Sequence, residues 1–232
     1  MLFSLGCATA YDARGVFHKV RKGETLDWIA NRYGVAIQDM AELNNIRNSD
    51  IIRTGQKLYL PQKENHRYKR LPFEEELRKS LAGSSRQTSS RNNRLAADIG
   101  SQKVHTDYTR FIWPVDGKVI SPFGIRKGRR HDGIDIKSPR GTPIRAASSG
   151  RVVFSGRMRG YGNLVLVRHP DQFFTAYAHN RVNQVKKGAR VKKGDVLGLV
   201  GTTGRSTGPH LHFEIRQGEK ARNPLFFLPG AH

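Results

Sequence analysis

The 232-residue chain carries 41 Lys and Arg against 19 Asp and Glu, a formal net charge of +22, and a single cysteine, Cys7. One thiol excludes an internal disulfide scaffold, and no apolar run approaches the ~18 residues that cross a bilayer as a helix. A hydrophobic content of 37% supports real cores in one or two domains, and the charge calls for an anionic partner: nucleic acid, anionic lipid or acidic wall polymer.

The charge is uneven, with +2 on residues 1–61, +5 on 62–110 and +15 on 111–232. In the C-terminal half the cations are scattered among Val, Ile, Gly and Pro, which describes a basic folded domain and not a basic tail. At the other end, Gly6 before Cys7 in MLFSLGCATA fits a lipoprotein signal, where a small residue precedes the lipidated cysteine. The stretch Leu2 to Gly6 is short for an apolar leader and no basic segment precedes it. Residues 1–16 are therefore read as a leader or signal remnant, with Cys7 as the candidate lipid-anchor site.

Residues 17–61 read as a β-α-α-β unit. Thr25 is placed to cap a helix in which Leu26, Ile29, Ala30 and Tyr33 recur at helical spacing, and Gly34 is placed to end it. A second helix is expected from Ile37 to Asn44, with Met40 and Leu43 on one side, and the flanking FHKV and KLYLP segments read as strands. The run of Val20, Gly23, Glu24, Thr25 and Leu26, then Ile29 and Ala30, Tyr33 to Val35, Leu43 and Asn44, and finally Ile52, Gly55, Gln56, Leu58 and Pro61 resembles a LysM module. The resemblance implies binding of N-acetylglucosamine-containing glycan through the loop at Gly23, Glu24 and Thr25 and the loop after Asn44.

Residues 62–110 are expected to form a basic linker. FEEELRKSLA can make a short helix within it, whereas GSSRQTSSRNN has neither apolar residues nor a period. From Phe111 to the end, short β-rich runs alternate with Gly and Pro turns: KVISPFG, PIRAASSGRVVFSG, NLVLVRH, FFTAYAH, VLGLVG and HLHFEI. The expectation is a mainly antiparallel β domain.

Two histidine motifs in this domain suggest chemistry. His210 and His212 alternate on a strand and share one face, with Leu211 turned to the core. A structural pair explains H-x-H as readily as a metal site does. His131 and Asp135 lie in RRHDGIDI, an extended segment in which four residues span ~13 Å, too far for one metal unless Gly133 permits a bend. Taken together, His131, Asp135 and one member of the H-x-H pair supply the two-His, one-carboxylate set of a catalytic zinc site. No H-E-x-x-H, P-loop or G-x-S-x-G pattern competes.

With WPVDG, SPFGIR, HDGID, GTPIRAASSG, GYGN, YAH and GDVLGLVGTTGRSTGPHLHFEI, residues 112–228 resemble the lysostaphin-type (LytM-type) zinc metallopeptidases. The resemblance implies one Zn2+ held by His131, Asp135 and His212, with His210 and His179 as the catalytic histidines that are not ligands. It implies hydrolysis of a peptide crosslink in peptidoglycan, with Zn2+ supplying a water of pKa ~7 and polarising the amide carbonyl. Between them, His210 and His179 are expected to take the water's proton and to steady the tetrahedral intermediate or the leaving amine, a division of roles that the sequence does not assign. Gly204, Gly208 and Pro209 are expected to shape the groove.

Of the remaining histidines, His169 reads as structural, while His18, His66, His105 and His232 lack context. Trp28 and Trp113 read as core. Arg129 and Arg130 fit an anionic substrate or a solvated turn equally well. The whole chain reads as an exported, wall-associated protein of the periplasm or outer membrane. It reads as a zinc endopeptidase targeted by its LysM module; the alternative is a LytM-type regulator that activates a wall amidase without catalysis of its own. No aromatic platform supports a nucleic-acid partner.

Overall fold

The computed structural model describes residues 15–48, 51–61, 72–82, 103–126 and 128–230. Cys7, His66, His232 and the GSSRQTSSRNN stretch lie outside them. Among the described residues no helix is long and apolar enough to cross a membrane.

The N-terminal unit is β1 (Gly15–Lys19), α1 (Leu26–Tyr33), α2 (Ile37–Leu43) and β2 (Lys57–Pro61), with β1 and β2 antiparallel. Thr25 caps α1 by accepting the Trp28 amide at 3.1 Å, and Gly34 ends it at φ 63°, a left-handed value that suits a residue without Cβ. Leu26, Ile29, Ala30 and Met40 are buried. Two side chains depart from expectation. Trp28 is 45% exposed and Tyr33 42% exposed. The core-facing stripe of this two-turn helix is filled by Leu26, Ile29 and Ala30, which leaves Trp28 on the outer side beneath the guanidinium of Arg32.

Helix α3 (Pro72–Ala82) follows, and then the strands β3 (Lys118–Ser121), β4 (Gly124–Arg126), β5 (Arg129–His131), β6 (Ile134–Lys137), β7 (Pro143–Arg145), β8 (Gly150–Met158), β9 (Gly162–Arg168), β10 (Phe173–Asn183), β11 (Arg190–Val191), β12 (Val196–Val200), β13 (His210–Gln217) and β14 (Lys220–Arg222). A 3-10 turn, Pro224–Phe226, follows β14. The main sheet runs β11-β8-β9-β10-β13-β6-β3, with β12 on β10, β7 on β12 and β14 on β13, every pair antiparallel. The expected antiparallel β domain behind a β-α-α-β unit is the fold observed. Strands β4 and β5 form a separate two-stranded hairpin.

The described parts of the segment expected to be linker are packed against the folded units, α3 on the sheet and Asp107 on the 3-10 turn. Arg168 donates to the Ser80 carbonyl of α3 at 2.9 Å, and Leu81 packs on the cluster of Leu164, Leu166 and Phe174. The Asp107 amide donates to the Phe226 carbonyl at 2.9 Å. Each contact uses a residue whose partner is remote in sequence, which is why local composition did not reveal it.

Candidate metal centre

Strand register builds the centre. His212 of β13 lies directly opposite Asp135 of β6, a cross-strand pairing that brings two side chains of one face within reach of each other. His131 closes the chain's approach at the end of β5, and the two-residue corner Asp132-Gly133 turns the chain back into β6. Gly133 acts there by what it lacks. A Cβ on it would stand 2.4 Å from the Phe213 carbonyl oxygen, so only glycine lets the corner lie against β13. The ~13 Å of an extended segment thereby shrinks to 3.2 Å between His131 Nε2 and Asp135 Oδ1.

The three groups converge tightly. His212 Nδ1 is 2.8 Å from Asp135 Oδ1 and 3.2 Å from His131 Nε2, and all three residues are buried. The outward nitrogens are engaged: His131 Nδ1 donates to the Pro122 carbonyl at 2.8 Å and His212 Nε2 to Glu214 Oε1 at 3.0 Å. Those bonds fix tautomers in which both inward nitrogens carry lone pairs facing a carboxylate. Three acceptors meeting at one point require a cation or extra protons. Ligands ~2.0–2.2 Å from a tetrahedral zinc stand roughly 3.3–3.6 Å apart, a few tenths of an ångström beyond the spacings of 2.8 to 3.2 Å found, so the donor set fits that ion after a small opening. Burial alone raises the Asp135 carboxyl, but where His131 and His212 carry the extra inward protons, their hydrogen bonds and charge outweigh it and hold the group well below the usual carboxylate range.

His179 and His210 stand beside this trio, their rings 4.9 Å apart, with His210 Nε2 at 3.9 Å from Asp135 Oδ1. Each donates from Nδ1 to a carbonyl, His179 to Thr203 at 2.6 Å and His210 to Gly208 at 2.8 Å. Each Nε2 is buried and has no hydrogen-bond partner among the described residues. His179 adopts φ 63° where the pairing of β9 with β10 shifts register, a bulge that re-aims its ring. Burial, then the neighbouring His212, depresses the His179 imidazole to about 3, so it is neutral near pH 7.

The profile of peptidase family M23 matches residues 129–224, and that of the LysM domain residues 18–61. The chain is 37% identical over 216 residues to the uncharacterized lipoprotein YgeR of Escherichia coli K12, covering 93% of this chain and 82% of YgeR. This chain belongs to peptidase family M23, with a LysM domain ahead of it. Two further relatives diverge in name. It is 44% identical over 125 residues to the murein hydrolase activator NlpD of E. coli K12, and 46% identical over 114 residues to the DD-carboxypeptidase/endopeptidase Mpg of Neisseria gonorrhoeae. It covers 32% of NlpD and 26% of Mpg, against 53% and 47% of its own length.

In this M23 chain the structure unites all five residues that the sequence singled out. It adds Tyr161, Glu214 and Arg216, none of which the sequence had singled out. Glu214 accepts from His212, from the Tyr161 hydroxyl at 2.8 Å and from Arg216 at 2.9 Å, while Arg130 holds Asp132 at 2.7 Å. The signal was present, since His210, His212, Glu214 and Arg216 fall on alternate positions of β13. His169 bonds the Ser149 carbonyl and Thr175 hydroxyl, each at 2.8 Å, away from the metal residues. In the N-terminal unit, Glu24 accepts from His18 and from the Arg21 amide, both at 2.7 Å. The Asn44 amide bonds the Met40 and Tyr59 backbones.

Proposed function

We propose that this M23 protein is a zinc endopeptidase that hydrolyses peptide crosslinks of peptidoglycan, brought to the wall by its LysM domain through Gly23, Glu24, Thr25 and the loop after Asn44. The observation that carries the reading is the convergence of His131, Asp135 and His212 with two partnerless Nε2 atoms, on His179 and His210, at its edge. A regulator has no need of five such groups in one place. Zn2+ held by the trio would supply a water of lowered pKa and Lewis-acid polarisation of an amide carbonyl.

The protein's own residues do the rest. The carbonyls of Gly208 and Thr203 fix the Nδ1–H tautomers, so His210 Nε2 and His179 Nε2 both present a lone pair. His210, nearer Asp135, accepts the proton of the attacking water, and His179, once protonated, donates to the tetrahedral oxygen or the leaving amine. The relative named DD-carboxypeptidase/endopeptidase supports a crosslink on the carboxyl side of a D-residue. The lipoprotein relative supports an exported, envelope-bound protein anchored through Cys7. The NlpD relatives support a second reading, activation of a wall amidase.

Digestion of purified peptidoglycan by the full chain, with and without chelator, separates the two. Zinc-restored release of cleaved crosslinks that His131→Ala abolishes is the expected result. Release unaffected by that substitution sinks the zinc-peptidase reading, and stimulation of an amidase without crosslink cleavage establishes the regulator.

A further inference from the structure

The hairpin that supplies His131 stands apart from the main sheet that carries Asp135 and His212. Among the described residues β4 and β5 pair only with each other, and the hairpin joins the sheet through Pro122-Phe123 and the Asp132-Gly133 corner. Its outer support comes from the LysM domain. The Leu43 carbonyl, at the end of α2, lies where a Cβ on Gly124 would stand 2.7 Å away, and Gly124 is the register partner of His131. One strand pairing therefore separates the LysM backbone from a metal ligand.

The contact is fixed by charge and by buried amides. Glu42 of α2 is 2% exposed. Its Oε1 accepts from Arg222 Nε at 2.9 Å, Arg222 Nη2 at 2.7 Å and Gln38 at 2.8 Å, and its Oε2 from the Asn223 amide at 3.0 Å. The fully buried Asn223 side chain donates to the Glu42 carbonyl at 2.9 Å and to Asn45 Oδ1 at 2.7 Å. Gln38 exchanges two bonds with the His105 backbone, at 2.8 and 3.0 Å, and Lys220 pairs with Asp39. A buried carboxylate so fully satisfied holds its partners cooperatively, because removing it leaves an arginine and an amide uncompensated.

We propose that the LysM domain buttresses the metal centre: docked through α2, it holds the β4–β5 hairpin, so that metal binding and LysM docking favour each other. The inference rests on the reading that His131, Asp135 and His212 hold zinc. Docking that favours metal must, by linkage, be favoured by metal to the same degree.

The test measures zinc affinity of the full chain by competition with a chromogenic chelator, for wild type and for Glu42→Ala and Arg222→Gln, which open the clamp from opposite sides. Both substitutions are expected to weaken zinc on the order of tenfold, as loss of an outer support does, and to speed amide exchange in β4 and β5. Unchanged affinity together with faster exchange in α2 overturns the coupling. Wild type supplies a measurement that needs no variant: removing zinc should speed exchange at α2 and at the Asn223 amide. Equal exchange in a chain that binds zinc overturns the coupling alone, whereas a wild type that binds no zinc overturns the metal reading and the coupling with it.

Discussion

His212 works at both ends of its ring. Nδ1 faces His131 and Asp135, while Nε2 is held by Glu214, whose carboxylate is fixed in turn by Tyr161 and Arg216. Burial alone raises the Glu214 carboxyl, but His212 and Arg216 prevail and bring it down to about 2, so it is ionised at every working pH. Glu214→Ala is predicted to weaken zinc roughly 10- to 100-fold, with Glu214→Gln nearer the lower figure because its amide oxygen still accepts from Nε2. Equal affinities in all three proteins, measured by chelator competition, would dismiss the role. A second residue sets acid stability. Burial depresses His169 to about 4 from 6.5, with Arg110 adding to it against the Ser149 carbonyl. The folded state then binds fewer protons than the unfolded state between those values. Its stability contribution is whole above pH 6.5 and is lost on acidification toward pH 4, by roughly 3 kcal/mol at most. Replacing His169 by Gln should flatten that part of the stability curve in urea titrations from pH 7 to 4; an unchanged slope would assign the acid sensitivity elsewhere.

At the level of elements, the β5–β6 corner decides whether a metal site forms. Gly133→Ala puts a methyl 2.4 Å from the Phe213 carbonyl oxygen, a backbone atom of a central strand that cannot swing away. The prediction is a loss of about 1–3 kcal/mol in denaturant unfolding, as for other overpacked sites, accompanied by weaker zinc binding. A variant with wild-type values of both would mean that the corner tolerates displacement. Much of this level was legible beforehand. The β runs, the capping Thr25 and the terminating Gly34 follow from local chemistry, and the alternation of β13 placed His210 and His212 on one face. What stayed hidden depends on partners distant in the chain. Glu42 in AELNN looks like any acid on a helix surface, and only folding brings it to Arg222 and Asn223. The bulge that turns His179 inward has no glycine to announce it, and Trp28 sits outside because three smaller residues already fill the helix's inner stripe.

Charge belongs to the molecule as a whole. Of the net +22, +15 lies on residues 111–232 and only +2 on residues 1–61, so the two halves should answer differently to salt. Many of the C-terminal cations, including Arg140, Arg151, Arg159, Arg190 and Arg205, are exposed. Such charges attract an anionic polymer through a field that screens over ~10 Å at 0.1 M ionic strength and ~3 Å at 1 M. On the proposed function, a neutral N-acetylglucosamine oligomer bound by the LysM domain would make no use of that field. Binding of the full chain to purified anionic sacculi is therefore predicted to fall by roughly fivefold or more between 50 and 500 mM NaCl, while binding to the neutral oligomer changes by less than about twofold. Pull-down with sacculi and titration with the oligomer measure the two side by side. Parallel losses would show that the basic face serves the LysM contact itself, and flat curves for both would remove the cations from wall binding altogether.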